Sequence, residues 1–107
     1  MDRKVILSPR AIQDLSHIVR YIAADNPAAA ERLGNALIDA ALSLATLPER
    51  GRLVPEFDDG VTRELVLSPY RIIYRFIPEQ RVVWVSRFWH AARGTPELPP
   101  GQNRPPG

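Results

Sequence analysis

Apolar positions in this chain repeat first with the period of a helix and then, past residue 60, with the period of a strand. Residues 3–7 (RKVIL) predict a short opening strand. Ser8 and Pro9 follow as helix N-cap and first helical residue, because a hydroxyl accepts an orphan amide and proline is tolerated in the first turn. Ile12, Leu15, Ile18, Val19 and Ile22 then fall on one stripe, which predicts an amphipathic helix over 9–24. Asp25, Asn26 and Pro27 close it and open a second helix, with Asn26 as cap and Ala30, Leu33, Leu37, Ala41 and Leu44 as the apolar stripe. Small residues (Ala28 to Ala30, Gly34, Ala36, Ala40, Ala41) let the two helices approach closely, so the pair reads as a helical hairpin.

Pro48 to Gly51 breaks the second helix, and a loop runs on to Gly60. Three strands follow over roughly 62–67, 70–77 and 81–89, and gaps this short make antiparallel neighbours. In the middle strand Tyr70, Ile72, Tyr74 and Phe76 share one face, and Arg71, Ile73, Arg75 and Ile77 the other. In the last, Val82, Trp84, Ser86, Phe88 and His90 alternate with Val83, Val85, Arg87 and Trp89. Both faces are apolar enough to pack on the helices, and the pattern leaves that choice open. The expected fold is α+β in the order β-α-α-β-β-β: an N-terminal strand, a helical hairpin, then a three-stranded antiparallel meander. The second sheet face is left open or partly open. Residues 1–93 form the expected domain. From Gly94 onward, five prolines and three glycines in fourteen residues leave little to pack, so 94–107 reads as a flexible tail.

Composition narrows the chemistry. A chain of 107 residues has room for one modest core. With no cysteine, disulfides, thiolate metal sites and a thiol nucleophile are excluded, and a reducing compartment fits. No apolar run approaches the length of about 18 residues that a membrane helix needs, so a soluble cytoplasmic protein with no membrane partner is expected. His17 and His90 are far apart and lack a carboxylate cluster, and no glycine-rich loop opens a helix after a strand. Neither a metal nor any other cofactor is expected.

Charge is divided unevenly. Residues 1–60 hold seven basic and nine acidic residues, net −2, whereas residues 61–107 hold seven and three, net +4. Six of the eight aromatics lie in that second part. An arginine-rich sheet with interleaved aromatics suits binding of a polyanion or an acidic protein; it equally suits an ordinary sheet with solvated arginines.

Six stretches in this order resemble the RelE/ParE superfamily of toxins from type II toxin–antitoxin systems. They are LSPRA after the opening strand, DL-x-x-I-x-x-YIA in the first helix, LPERGR at the helix exit, RELV, YRIIYR, and the closing HAAR. The resemblance covers residues 3 to about 96. It implies a growth-inhibiting toxin, often plasmid-stabilising, held in a hetero-oligomer by a cognate antitoxin whose tail wraps it. RelE-like members resemble ribonucleases that cut messenger RNA on the ribosome, and ParE-like members inhibit DNA gyrase.

The RelE-like reading implies catalytic roles for four residues. Arg71 matches a phosphate-binding arginine of the middle strand, His90 a C-terminal acid or base, and Glu56 a loop base. Arg63 would be a second phosphate clamp. Each also has a plainer role: Arg71 paired with Glu64, His90 capping the sheet edge beside Trp89, Glu56 solvated beside Asp58 and Asp59, Arg63 on an exposed strand. One lysine and a net charge of +2 are little for a protein that must hold ribosomal RNA. The residues therefore favour ParE-like gyrase inhibition, with ribosome-dependent mRNA cleavage as the alternative. Arg71, Arg75, Trp84 and Trp89 are the expected antitoxin contacts on the open sheet face.

Overall fold

A computed structural model describes residues 3–98. The elements are β1 (Lys4–Leu7), α1 (Pro9–Ala23), α2 (Pro27–Leu42), β2 (Arg52–Leu53), β3 (Arg63–Leu67), β4 (Tyr70–Ile77) and β5 (Val82–His90), with a 3-10 turn at Ala91–Arg93. Both expected caps form. The Ser8 hydroxyl accepts from the Ala11 amide at 3.0 Å, and the Asn26 side chain accepts from the Ala29 amide at 3.0 Å. Ser8 is itself buried and donates to the Ser86 carbonyl at 2.8 Å, tying the start of α1 to β5.

The strands form one sheet in the order β1-β5-β4-β3-β2. The expected meander is β3, β4 and β5, all antiparallel, while β1 runs parallel to β5 at one edge and the two-residue β2 adds a fifth strand at the other. The helical hairpin covers one face. Its Ala11, Leu37 and Ala41, with Leu44, pack on Tyr70, Ile72, Tyr74, Val83, Val85 and Phe88. Tyr70, Ile72, Tyr74 and Phe76 are thus the inner face of β4, which the alternation had left undecided.

The expected alternation fails in β5. The register shifts between Ile73 and Tyr74, whose partners are Arg87 and Val85, so Ser86 has no partner across β4. This bulge puts Val83, Val85, Phe88 and His90 on the inner face, and Trp84, Arg87 and Trp89 on the outer one. The outer face is less open than expected. Val54, Ile73 and Trp89 form a second small core, with Phe57 and Leu98 packed on it. Residues 94–98, expected as the start of a flexible tail, therefore pack: Pro96 is buried and the Glu97 carbonyl accepts from Arg87 at 2.7 Å. The rest of that expected tail, 99–107, lies outside the described residues.

Candidate functional site

The outer face of β4 carries Arg71 and Arg75, and the loop after β2 folds over Arg71. Arg71 pairs across the strands with Val66 and Trp89, and Glu64 sits diagonally from it on the same face. The Arg71 Nε–H donates to Oε1 of Glu64, whose other oxygen accepts from Arg52 Nε at 2.6 Å. The two Arg71 terminal nitrogens donate one each to the Glu56 carboxylate, both at 3.0 Å, and Nη1 also reaches the Gly94 carbonyl at 3.3 Å. Arg71 is 9% exposed and Glu64 is 1% exposed. A buried carboxylate is tolerable only when charge-paired, and Glu64 is paired twice.

Hydrogen bonding from Arg71 holds the Glu56 carboxyl below its ordinary value, and the same contact raises the guanidinium. Nearby Asp59 is also lowered: burial pushes it up, but the Thr62 hydroxyl and the Val61 and Thr62 amides outweigh that. Together Arg52, Arg71, Glu56 and Glu64 carry two positive and two negative charges, so the cluster has no surplus cation for a phosphate.

The structure brings together two of the four residues implied by the nuclease resemblance. Glu56 and Arg71 are ion-paired. His90 pairs with Tyr70 on the inner face, its ring edge-on to the tyrosine at 5.2 Å, so the sheet separates it from Arg71. Arg63 also faces inward, opposite Tyr74, and donates to the Gly51 carbonyl at 2.8 Å. There the Tyr74 hydroxyl accepts the Gly51 amide at 2.8 Å, and a Cβ on Gly51 would collide with that hydroxyl and with the Glu64 carbonyl. Burial pushes the Tyr74 hydroxyl up, which keeps it protonated.

Of the expected antitoxin contacts, Trp84 and Trp89 are buried and Arg71 is engaged as described. Trp89 donates to the Gly94 carbonyl at 3.1 Å and is flanked by guanidinium groups of Arg87 at 4.8 Å and Arg93 at 3.9 Å. Arg75 is half-buried opposite Trp84, and its Nε has no hydrogen-bond partner.

One pair escaped sequence reasoning. Asp14 of α1 accepts from Arg87 Nε at 2.7 Å and Nη2 at 2.9 Å, and takes the Phe88 amide at 3.1 Å. Arg87 is 2% exposed. The only signal was the polar Asp14 beside the apolar stripe of α1, and nothing in it named a partner 73 residues away. Beside this pair a hollow of about 370 Å³ opens between α1 and the end of β5, lined by His17, Tyr21, Tyr70, Phe88, His90 and Arg93 among others.

Comparison with known proteins agrees with this fold. A sequence model described as "ParE toxin of type II toxin-antitoxin system, parDE" matches residues 5–94. Two curated proteins of Caulobacter vibrioides are similar. "Toxin RelE2" is 41% identical over 84% of this chain and 97% of its own, and "Toxin RelE1" is 37% identical over 80% and 90%. Among solved structures, the chromosomal ParDE system of P. aeruginosa superposes with a TM-score of 0.70 at 18% identity, over 82% of this chain and 95% of that one. The RelBE2 toxin–antitoxin complex of Mycobacterium tuberculosis gives 0.65 at 24%, over 84% and 99%. The chain belongs to the ParE toxin family of type II toxin–antitoxin systems, within the RelE/ParE superfamily.

Proposed function

We propose that this ParE-family toxin acts by binding rather than by cutting, with DNA gyrase as its target and a cognate antitoxin as its inhibitor. The observation that carries the reading is the state of Arg71. Cleavage through a 2′-hydroxyl needs a proton acceptor, a proton donor and free positive charge converging on one phosphate. Here the arginine is bound to two carboxylates, the candidate base is one of those carboxylates, and the candidate acid lies across the sheet. Two carboxylates in contact with the guanidinium also repel a phosphate that approaches it. The experiment is a gyrase supercoiling reaction titrated with the purified toxin, alone and with the antitoxin encoded beside it. Loss of supercoiling, restored by antitoxin, is the expected result; normal supercoiling at excess toxin rejects gyrase as the target.

A second reading, ribosome-dependent cleavage of messenger RNA, is favoured by the names of the two curated relatives, both RelE. It requires Glu56 to leave Arg71 when RNA binds, and it places the proton donor at His90. In a translating extract it predicts fragments that disappear with His90→Ala.

A further inference from the structure

With Trp84 and Trp89 buried and Arg71 tied down, the outer sheet face offers little of the surface that an antitoxin segment was expected to cover. The side of α1 offers more. Arg10, Gln13, His17 and Tyr21 follow one another along one side of the helix, a length of about 16 Å at the helical rise. The hollow beside Tyr21 continues past His17 and Arg93 into a second one of about 300 Å³ lined by Arg10 and Gln13, so the two make a groove. Its floor is apolar, from Ile18, Ile22, Tyr70 and Phe88.

The groove is cationic. Among the described residues neither Arg10 nor Arg93 makes an ion pair, and the Arg93 guanidinium lies over the Trp89 ring at 3.9 Å. Asp14, the acidic residue lining both hollows, is already neutralised by Arg87 and the Phe88 amide. Both histidines of the chain line it. His90 Nδ1 accepts the Ala92 amide at 3.0 Å, so the neutral ring carries its proton on Nε2 and has a donor to offer. Tyr21 stands at the rim 83% exposed, a large aromatic of the kind that anchors protein contacts.

We infer that this groove between α1 and the end of β5 is a docking site for an acidic segment of the antitoxin, which lays an apolar side chain on Phe88 and Tyr70 and carboxylates on Arg10, His17 and Arg93. The occupant follows from charge and shape: an apolar floor with cations along both walls fits an extended chain carrying acidic and apolar residues together. A length of about three helical turns suits a peptide better than a single nucleotide. The inference rests on the antitoxin-neutralised reading above.

The test is calorimetric titration of the full chain with the antitoxin encoded beside it. Arg10→Glu/His17→Glu reverses the α1 wall at side chains that make no ion pair among the described residues, and Arg32→Glu on the exposed side of α2 is a control charge reversal elsewhere. The groove predicts that the double variant binds about tenfold or more weakly with a shallower salt dependence, while Arg32→Glu stays within about twofold. Arg93→Glu, on the opposite wall, is expected to act in the same direction. If wild type binds and the groove variants bind equally well, the docking site is refuted and the antitoxin reading stands. If wild type does not bind the antitoxin at all, both fail together. Ring signals of His17 and His90 that shift with a short single-stranded RNA and not with antitoxin would also overturn the inference, assigning the groove to nucleic acid.

Discussion

Arg71→Ala separates a structural arginine from a catalytic one. The substitution leaves Glu64 fully buried with Arg52 as its remaining charged partner, and Arg52 is two-thirds exposed. Removing one partner of a buried ion pair costs about 3–5 kcal/mol when the other charge is left uncompensated. Because Arg52 still holds one oxygen, the loss is nearer that of one charge-assisted hydrogen bond, about 1.5–3 kcal/mol. The partly exposed Glu56 contact adds at most about 1 kcal/mol. The sum is about 3 kcal/mol, which in a domain of this size lowers Tm by roughly 12–24 °C. Urea unfolding followed by circular dichroism measures it directly. Arg71→Met combined with Glu64→Leu should recover much of the loss, because an apolar pair of similar volume leaves no stranded charge. A catalytic arginine behaves the opposite way: Arg71→Ala would leave stability unchanged within about 0.5 kcal/mol while abolishing activity. That outcome would refute the assignment of Arg71 as an internal tie.

Two further predictions follow from the same contacts. Glu56 is depressed in the folded state, so its contribution to stability is present above the ordinary carboxylate pKa and is lost as pH falls through the lower folded value. Below about pH 4.5, Glu56→Gln should therefore unfold along a shallower acid limb than wild type, in thermal melts taken across that range. Asp14→Ala strands the buried Arg87 guanidinium and the Phe88 amide, and denaturant melts should show a loss of about 3 kcal/mol. A loss under about 1 kcal/mol would show that the α1–β5 contact is not held by this pair.

Local rules were legible in the residues. Ser8 and Asn26 announce their helices because a cap is decided within three residues. The alternation in YRIIYRF sets the two faces of β4 because the extra residue of the bulge lies in β5 and not in β4. What escaped depends on distant partners. The bulge at Ser86 is an accommodation between β4 and β5 that no residue type marks, and it moves Arg87 and Trp89 to the face shared with Trp84. Adding β1 beside β5 joins segments some 78 residues apart. Of the candidate site, the Arg71–Glu64 pairing was visible as one of two readings. The Glu56 closure over it, and the assignment of His90 to the other face, required the fold. So did the burial of Trp89, because a tryptophan in an alternating strand looks the same whether a loop covers it or a partner does.

We propose that this toxin disables its target without cutting RNA. The most direct test uses one preparation in two reactions at matched concentration, gyrase supercoiling and a translating extract read for cleaved messenger RNA. Inhibited supercoiling with intact message is the predicted result. Intact supercoiling with message cut at defined positions would contradict the account and return Glu56, Arg71 and His90 to catalysis.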